Sequence, residues 1–499
     1  MFLAAIFVTI VFLIYAAYPG RCDRWFDRHY QNLLLALIVG LAGMLLVFAR
    51  YDLFILDEIL HVHIAWYIEQ GFRPGVDFFS EFHPLFHHMV QPFLALFGHT
   101  TTTIIALRMF MFCHAVCVVF MVYLIVGKVA PAREVRLLSL VALLSQTVFL
   151  HKIVEIRPDA PMTLFALVAI YFLLTFLQTA QKRHIIACGL SAAIAFLFLQ
   201  KAVFVLAALA LVFGWRLLQR KMTIASLLYF GLGFAPPVLA FLGYLVASGS
   251  FHDYWVTNWL IFVECDIPER TWEPLRLLDI ELHMLPQCLA ILLFSIIAPV
   301  VMLVRRDSTA ETKVVAFIGL FVLLVVTGSI RWLYGQYLLP SVALFSISIA
   351  QLLTVCFERL DWRPLFRLAL VGLVFVLPMV LLEQTYFASN RENLEKIEYV
   401  LQNTTESDAV YDGGGIYNVF RPDLHYIWYH SERSETTAWL NQHRKLKFED
   451  YDIYRLIETK RPKFISSYAL DITQHGLSDK YQEVTRHSYR KQLYIRRDQ

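Results

Sequence analysis

The sequence predicts a polytopic α-helical membrane protein of about twelve spans, ending in a small α/β domain outside the bilayer. Three observations lead there. Of 499 residues, 58% are hydrophobic and 17% charged, against about 45–50% and about 25% in a soluble chain; the mean hydropathy is +0.57. Apolar runs of about 20 residues, long enough to cross hydrocarbon as helices, recur up to residue 384 and then stop. Lys and Arg gather in alternate connections between those runs.

The spans are expected near 1–18, 32–50, 103–126, 137–151, 160–179, 185–199, 202–219, 224–247, 284–304, 314–330, 338–356 and 367–384. Met1–Tyr18 lacks a basic leading region and a small-residue cleavage site, so it reads as a retained first span. One set of links carries Arg21, Arg24 and Arg28, then Lys128, Arg133 and Arg136, then Lys182 and Arg183. It continues with Arg216, Arg220 and Lys221, then Arg305, Arg306 and Lys313, and ends with Arg359, Arg363 and Arg367. The positive-inside rule puts these links in the cytoplasm and the intervening ones outside. Two outer links are long. Within 51–102, the stretches Ile55–Glu69 and Pro84–Phe97 suit helices lying along the membrane surface. Residues 248–283 mix acids with Trp255, Trp259 and Trp272, and tryptophan at headgroup depth needs no special function.

From residue 385 the composition turns polar. Short β-type runs at 409–411, 464–468 and 492–495 alternate with helical stretches near Glu392–Gln402 and Tyr451–Thr459, as in a small outer α/β domain. Asp412-Gly-Gly-Gly415 lacks the Lys-Ser/Thr of a phosphate loop and reads as a turn. A net charge of +3, with the basic residues split among short links, gives no continuous surface for nucleic acid. The 7 cysteines form no C-x-x-C pair or finger spacing. They indicate neither a disulfide framework nor a zinc module. Those in apolar runs, such as Cys113, Cys117 and Cys188, read as small buried residues.

Ionisable residues at membrane depth are costly and direct attention to function. The outer ends of separate spans each supply some: Asp57 and Glu58, Arg108, Arg157 and Asp159, Lys201, then Arg331, Tyr334 and Tyr337. Taken singly, each has an ordinary explanation. Asp57 and Glu58 fit a solvated loop, Asp159 an N-cap, Lys201 a snorkelling side chain at a hairpin apex, and Arg331 an interfacial anchor. His61, His63, His83, His87 and His88 read as surface or interface histidines, and no spacing among them compels a metal. Together, acids and cations on one face make a polar cavity at the lipid boundary. The acids suit a base or a metal and the cations a phosphate.

The stretches Leu56-Asp57-Glu58, Gly75-Val-Asp77-Phe-Phe-Ser-Glu81-Phe-His83-Pro84 and Glu155-Ile-Arg157-Pro158-Asp159 now carry a resemblance. With Gln200-Lys201 and Arg331 through Pro340, they make the chain similar to the GT-C membrane glycosyltransferases. It is nearest the protein O-mannosyltransferase and lipid A aminoarabinose transferase group. That resemblance implies a polyprenyl-phosphate-linked sugar donor, an acceptor lipid, glycan or protein, and transfer with inversion. It also implies a bacterial plasma membrane setting, with the site and C-terminal domain on the outer side. By the same resemblance Asp57 becomes the general base, Glu58 its neighbour in the acidic motif and Asp159 the second acid. Arg157, Lys201, Arg331 and Tyr337 become the donor phosphate set. Some relatives bind a divalent metal and some work without one; Glu81 and His83 are the candidates here. His83-Pro84 is followed by Leu85 where many relatives have a second proline, and no Trp-Trp-Asp motif argues for transfer of an assembled glycan. A secondary transporter and a ligase or polymerase of lipid-linked glycans are the competing readings. The first fits poorly, because the acids lie at outer span ends and no inverted repeat appears.

Overall fold

The computed structural model describes residues 19–264, 285–329, 334–377, 379–380, 387–413, 417–427, 434–449, 451–467, 470–485 and 493–497. The expected span at 1–18, Trp272 and Arg331 lie outside the described residues, as do 414 and 415 of the glycine turn.

The membrane part is a helical bundle. It runs through α1 (Pro19–Tyr51), α2 (Leu56–Glu69), α3 (Leu85–Phe97), α4 (Thr101–Val129), α5 (Arg133–Leu144) and α6 (Thr147–Lys152). It continues through α7 (Asp159–Thr179), α8 (Lys182–Phe198), α9 (Val203–Leu218), α10 (Ile224–Ala247), α11 (Leu285–Val304), α12 (Ala310–Ser329), α13 (Leu339–Arg359) and α14 (Pro364–Val371). Among the described residues, 7 helices are long and apolar enough to cross a bilayer, and the protein is a multi-pass membrane protein. The single span expected at 137–151 is broken into α5 and α6. At the break the Ser145 hydroxyl donates back to the Val141 carbonyl at 2.7 Å and the Gln146 amide to Ala142 at 3.2 Å. The Gln146 side chain thus takes the Ala142 carbonyl at the end of α5, where the next turn no longer supplies a donor, and the Ser145 hydroxyl shares the Val141 carbonyl with its own backbone amide. α8 and α10 cross in backbone contact. A Cβ on Gly189 would stand 2.1 Å from the Phe230 carbonyl oxygen, and one on Gly233 2.0 Å from that of Ile186. Cys188 is buried there, whereas Cys113 and Cys117 are exposed on α4.

The basic links collect together: Arg367 pairs with Glu134 at 3.2 Å, and the Lys128 and Lys182 ammonium groups lie over the rings of Tyr171 and Tyr229. At the other end, α2 is enclosed rather than half-exposed. Every residue from Glu58 to Tyr67 is buried, because α3 packs on one side of it and the C-terminal region on another.

The C-terminal region is α/β, with α15 (Arg391–Gln402), α16 (Ser434–His443) and α17 (Ile453–Lys460) around strands β1 (Val410–Tyr411), β2 (Phe464–Ser466), β3 (Tyr481–Thr485) and β4 (Leu493–Arg496). The strand order is β1-β2-β4-β3. β1 and β2 are parallel, with Val410 opposite Phe464; β4 runs antiparallel to both β2 and β3. β3 and α16 were not legible in the sequence, since neither has a clean apolar period. In the turn after β1, the Asp412 carboxylate accepts the Tyr417 amide at 2.7 Å. Gly413 takes a positive φ of 62°, which favours glycine there.

Candidate active site

Asp57 and Glu58 open α2, where the helix N-terminus favours negative charge, and their neighbours then separate them. Glu58 turns inward and is fully buried. One oxygen accepts the Ile55 amide at 3.1 Å and the other the Ile156 amide at 3.0 Å. Both also take hydrogen bonds from the buried Arg108 guanidinium. Arg108 further donates to the Leu53 carbonyl at 3.0 Å and lies over the Phe54 ring. Glu58 is thus saturated. It ties the start of α2 to α4 and to the segment before α7, and it is not open to a reactant. Arg108 stood out in the sequence as a charge in an apolar run. Such a charge is expected to find a buried partner, but only the structure reveals which one.

Asp57 points the other way, with 41% of its side chain exposed. Its carboxylate is held by the Arg157 guanidinium. Burial pushes its pKa up, but Arg157, with help from Lys201 and Lys152, outweighs burial and holds it below the usual carboxylate range. The group is a carboxylate at neutral pH.

Arg157 is itself buried and reaches Asp159 at 3.2 Å and Glu155 at 3.9 Å. Asp159 is the first residue of α7. Its N-cap is Pro158, so the carboxylate serves Arg157 rather than capping the helix. Its second oxygen, Oδ1, is buried with no partner among the described residues. Glu155, not singled out by sequence as a site residue, accepts from Lys152 at 2.6 Å. Burial and the nearby Glu58 push it up to about 7 against the pull of Lys152 and Arg157.

Lys201 lies in a short 3-10 turn, Gln200–Ala202, whose Gln200 amide donates to the Glu81 carbonyl at 2.8 Å. Its ammonium sits 3.4 Å from the centre of the Tyr337 ring, a cation–π contact, and it makes no salt bridge among the described residues. Lys201, Asp159 and Tyr337 line one crevice whose remaining walls include Met162, Phe204, Val205, Val322 and Val326. The structure therefore brings Asp57, Arg157, Asp159, Lys201 and Tyr337 together, and leaves Glu58 behind them.

The histidines depart from expectation. His61, His63, His83 and His87 are fully buried rather than at the surface, because α2 is enclosed and α3 turns one face, with Phe86, His87, Val90 and Leu94, into the protein. Nδ1 of His61 faces Nε2 of His87 at 3.0 Å, and burial holds His87 down at about 3 and His61 well below its usual range. His83 bonds the Phe196 carbonyl at 2.8 Å among the rings of Phe196, Phe241 and Tyr254. That aromatic surround does not suit the proposed Glu81–His83 metal pair. Among the described residues, no group of three or more His, Cys, Asp or Glu is placed to hold a metal.

Residues 82–253 match the family described as dolichyl-phosphate-mannose-protein mannosyltransferase. No curated protein matches the chain in sequence. Among solved structures, ArnT from Cupriavidus metallidurans bound to undecaprenyl phosphate superposes with a TM-score of 0.62 at 12% identity, covering 93% of this chain and 97% of that one. The chain has the fold of the GT-C glycosyltransferases. The apo form of ArnT gives a TM-score of 0.61 at 14% identity over 92% and 97% of the two chains. The archaeal oligosaccharyltransferase AglB from Archaeoglobus fulgidus, in complex with an inhibitory peptide and a dolichol-phosphate, gives 0.56 at 12% identity over 92% and 73%. The resemblance carried by the short motifs is thus borne out for the fold. Because the family match begins at residue 82, the Asp57 motif lies outside it.

Proposed function

We propose that the protein transfers a sugar from a polyprenyl-phosphate donor to an acceptor hydroxyl at the outer membrane face, with inversion and with Asp57 as general base. The observation that carries this reading is the division of the charged cluster. An ionised, partly exposed carboxylate stands beside Arg157, while Lys201, which makes no salt bridge among the described residues, stands in a crevice with largely apolar walls. The crevice suits a donor with an anionic head and an isoprenoid tail. The relatives' bound undecaprenyl phosphate and dolichol-phosphate agree with it.

In the reaction the acceptor oxygen attacks the anomeric carbon as its proton passes to Asp57, and the bond from that carbon to the phosphate oxygen breaks. A free hydroxyl is a poor nucleophile, and a positioned base contributes about 10²–10⁴-fold. Lys201 meets the charge that grows on the departing lipid phosphate, the kind of fixed countercharge that accounts for much of enzymatic rate enhancement. Arg331, outside the described residues, keeps its proposed phosphate role. Arg157 is occupied by Asp57 and Asp159, so its part is to hold the base ionised and oriented. Tyr337 acts through the face of its ring on Lys201. A single displacement needs one base and leaves Asp159 as Arg157's second anchor.

The test is paired. Asp57→Asn in membranes supplied with lipid-linked sugar should lose about 10²–10⁴-fold in transfer while still binding undecaprenyl phosphate in a thermal-shift assay. Lys201→Gln should weaken that binding. Full transfer by Asp57→Asn would overturn the assignment of the base. Comparative mass spectrometry of surface glycoconjugates with and without the gene would identify sugar and acceptor.

A further inference from the structure

The end of α2 remote from Asp57 is fastened to the C-terminal region by histidines whose two ring nitrogens both face acceptors. His63, fully buried, has Nδ1 2.7 Å from the Val419 carbonyl and Nε2 2.6 Å from the Asp423 carboxylate. The same carboxylate accepts from the Tyr67 hydroxyl at 3.1 Å and from the Asn418 amide at 2.5 Å. The Asp423 amide in turn donates to Tyr67 at 2.9 Å. His99, in the link after α3, has Nε2 2.8 Å from Glu69, in the last turn of α2, and Nδ1 2.7 Å from Glu406 of the C-terminal region. Its ring stacks on Phe420.

Carbonyl and ionised carboxylate oxygens only accept, and a neutral imidazole carries a single N–H. Each of these rings completes both contacts only with a second proton shared within its cluster. We propose that the C-terminal domain is a proton-dependent clamp on the catalytic helix. On this reading His63 with Asp423, and His99 between Glu69 and Glu406, fix α2 when protonated. They release it as pH rises, and Asp57 loses its placement against Arg157. Loss of one proton leaves a nitrogen lone pair against a carboxylate, and at His99 it leaves the carboxylates of Glu69 and Glu406 sharing one donor. Among the described residues, the titratable groups facing His63 include Asp423 and the Tyr67 phenol. Those facing His99 are Glu69 and Glu406, and Arg421 interacts electrostatically with Glu406. The docking part stands on geometry alone; the link to activity rests on Asp57 being the base.

The test uses the full chain in lipid nanodiscs, with hydrogen–deuterium exchange corrected for the intrinsic effect of pH. Peptides covering 60–69 and 417–426 should lose protection about tenfold or more between pH 5.5 and 8.5. His99→Gln and Glu406→Gln, at partly exposed positions that tolerate change, should bring the loss to lower pH. Equal protection across that range in the wild type, or no shift in the variants, would overturn the clamp. In the transfer assay, the alkaline limb should fall at lower pH in His99→Gln than in the wild type, through kcat rather than KM. An unshifted limb with shifted exchange overturns the link to Asp57 and leaves the docking. Transfer by Asp57→Asn instead overturns the base itself, so the two failures are distinct.

Discussion

Asp57 and Glu58 are adjacent in sequence and have opposite fates. Glu58 shares its charge with Arg108 in a site closed to water. Removing one member of such a pair costs about 3–5 kcal/mol, because the other is left charged and buried, whereas replacing both with apolar groups is often neutral. Glu58→Gln should therefore lower the thermal unfolding temperature and the folded yield, and Glu58→Gln with Arg108→Met should regain part of the loss. If the double variant is no better than the single, the pair is not what stabilises this corner. Glu155 gives a pH test. Its folded pKa, about 7, lies above the ordinary value near 4.3, so between those limits the folded state binds the extra proton. Stability from this group is present at acid pH and lost as pH rises towards 7. Unfolding temperatures of Glu155→Gln should accordingly fall less across pH 5–7.5 than those of the wild type; parallel curves would rule this out.

At the level of elements, the apolar runs foretold helices but not how closely they pack. α8 and α10 approach until only hydrogen fits at Gly189 and Gly233, the small-residue contact that lets helices associate in lipid. Overpacking commonly costs about 1–3 kcal/mol. Gly189→Ala and Gly233→Ala should each lower the unfolding temperature in detergent. Together they should cost less than the sum, since the first already parts the helices. Strict additivity would show that the two positions act separately. The break between α5 and α6 was equally hidden. Hydropathy averages over Ser145 and Gln146, and their hydrogen bonds to the preceding turn matter only once a helix exists.

At the scale of the molecule, the charge alternation assigns sides and the structure collects the acids and cations at one end. Single cysteines placed at Ser308, between α11 and α12, and at Ser407, before β1, should then react with an impermeant maleimide from opposite sides of intact cells, Ser407→Cys from outside. Labelling of both from one side would overturn the proposed orientation. Only the whole molecule shows why α2 is enclosed. The C-terminal region covers one side of it, so His63, which reads as a surface group, is buried and meets Asp423 across 360 residues of chain.

The sequence by itself determined the helical membrane architecture, the α/β character of the tail and the short list of charged residues, because these follow from hydropathy, charge placement and local propensity. The tertiary structure alone decided which charge meets which. Asp57 faces Arg157 and partial exposure, Glu58 faces Arg108 and burial, Lys201 faces an aromatic ring, and His83 faces aromatic rings rather than metal ligands. A side chain's protonation and reach are set by neighbours from distant segments, and no local pattern in the chain specifies where those segments come together.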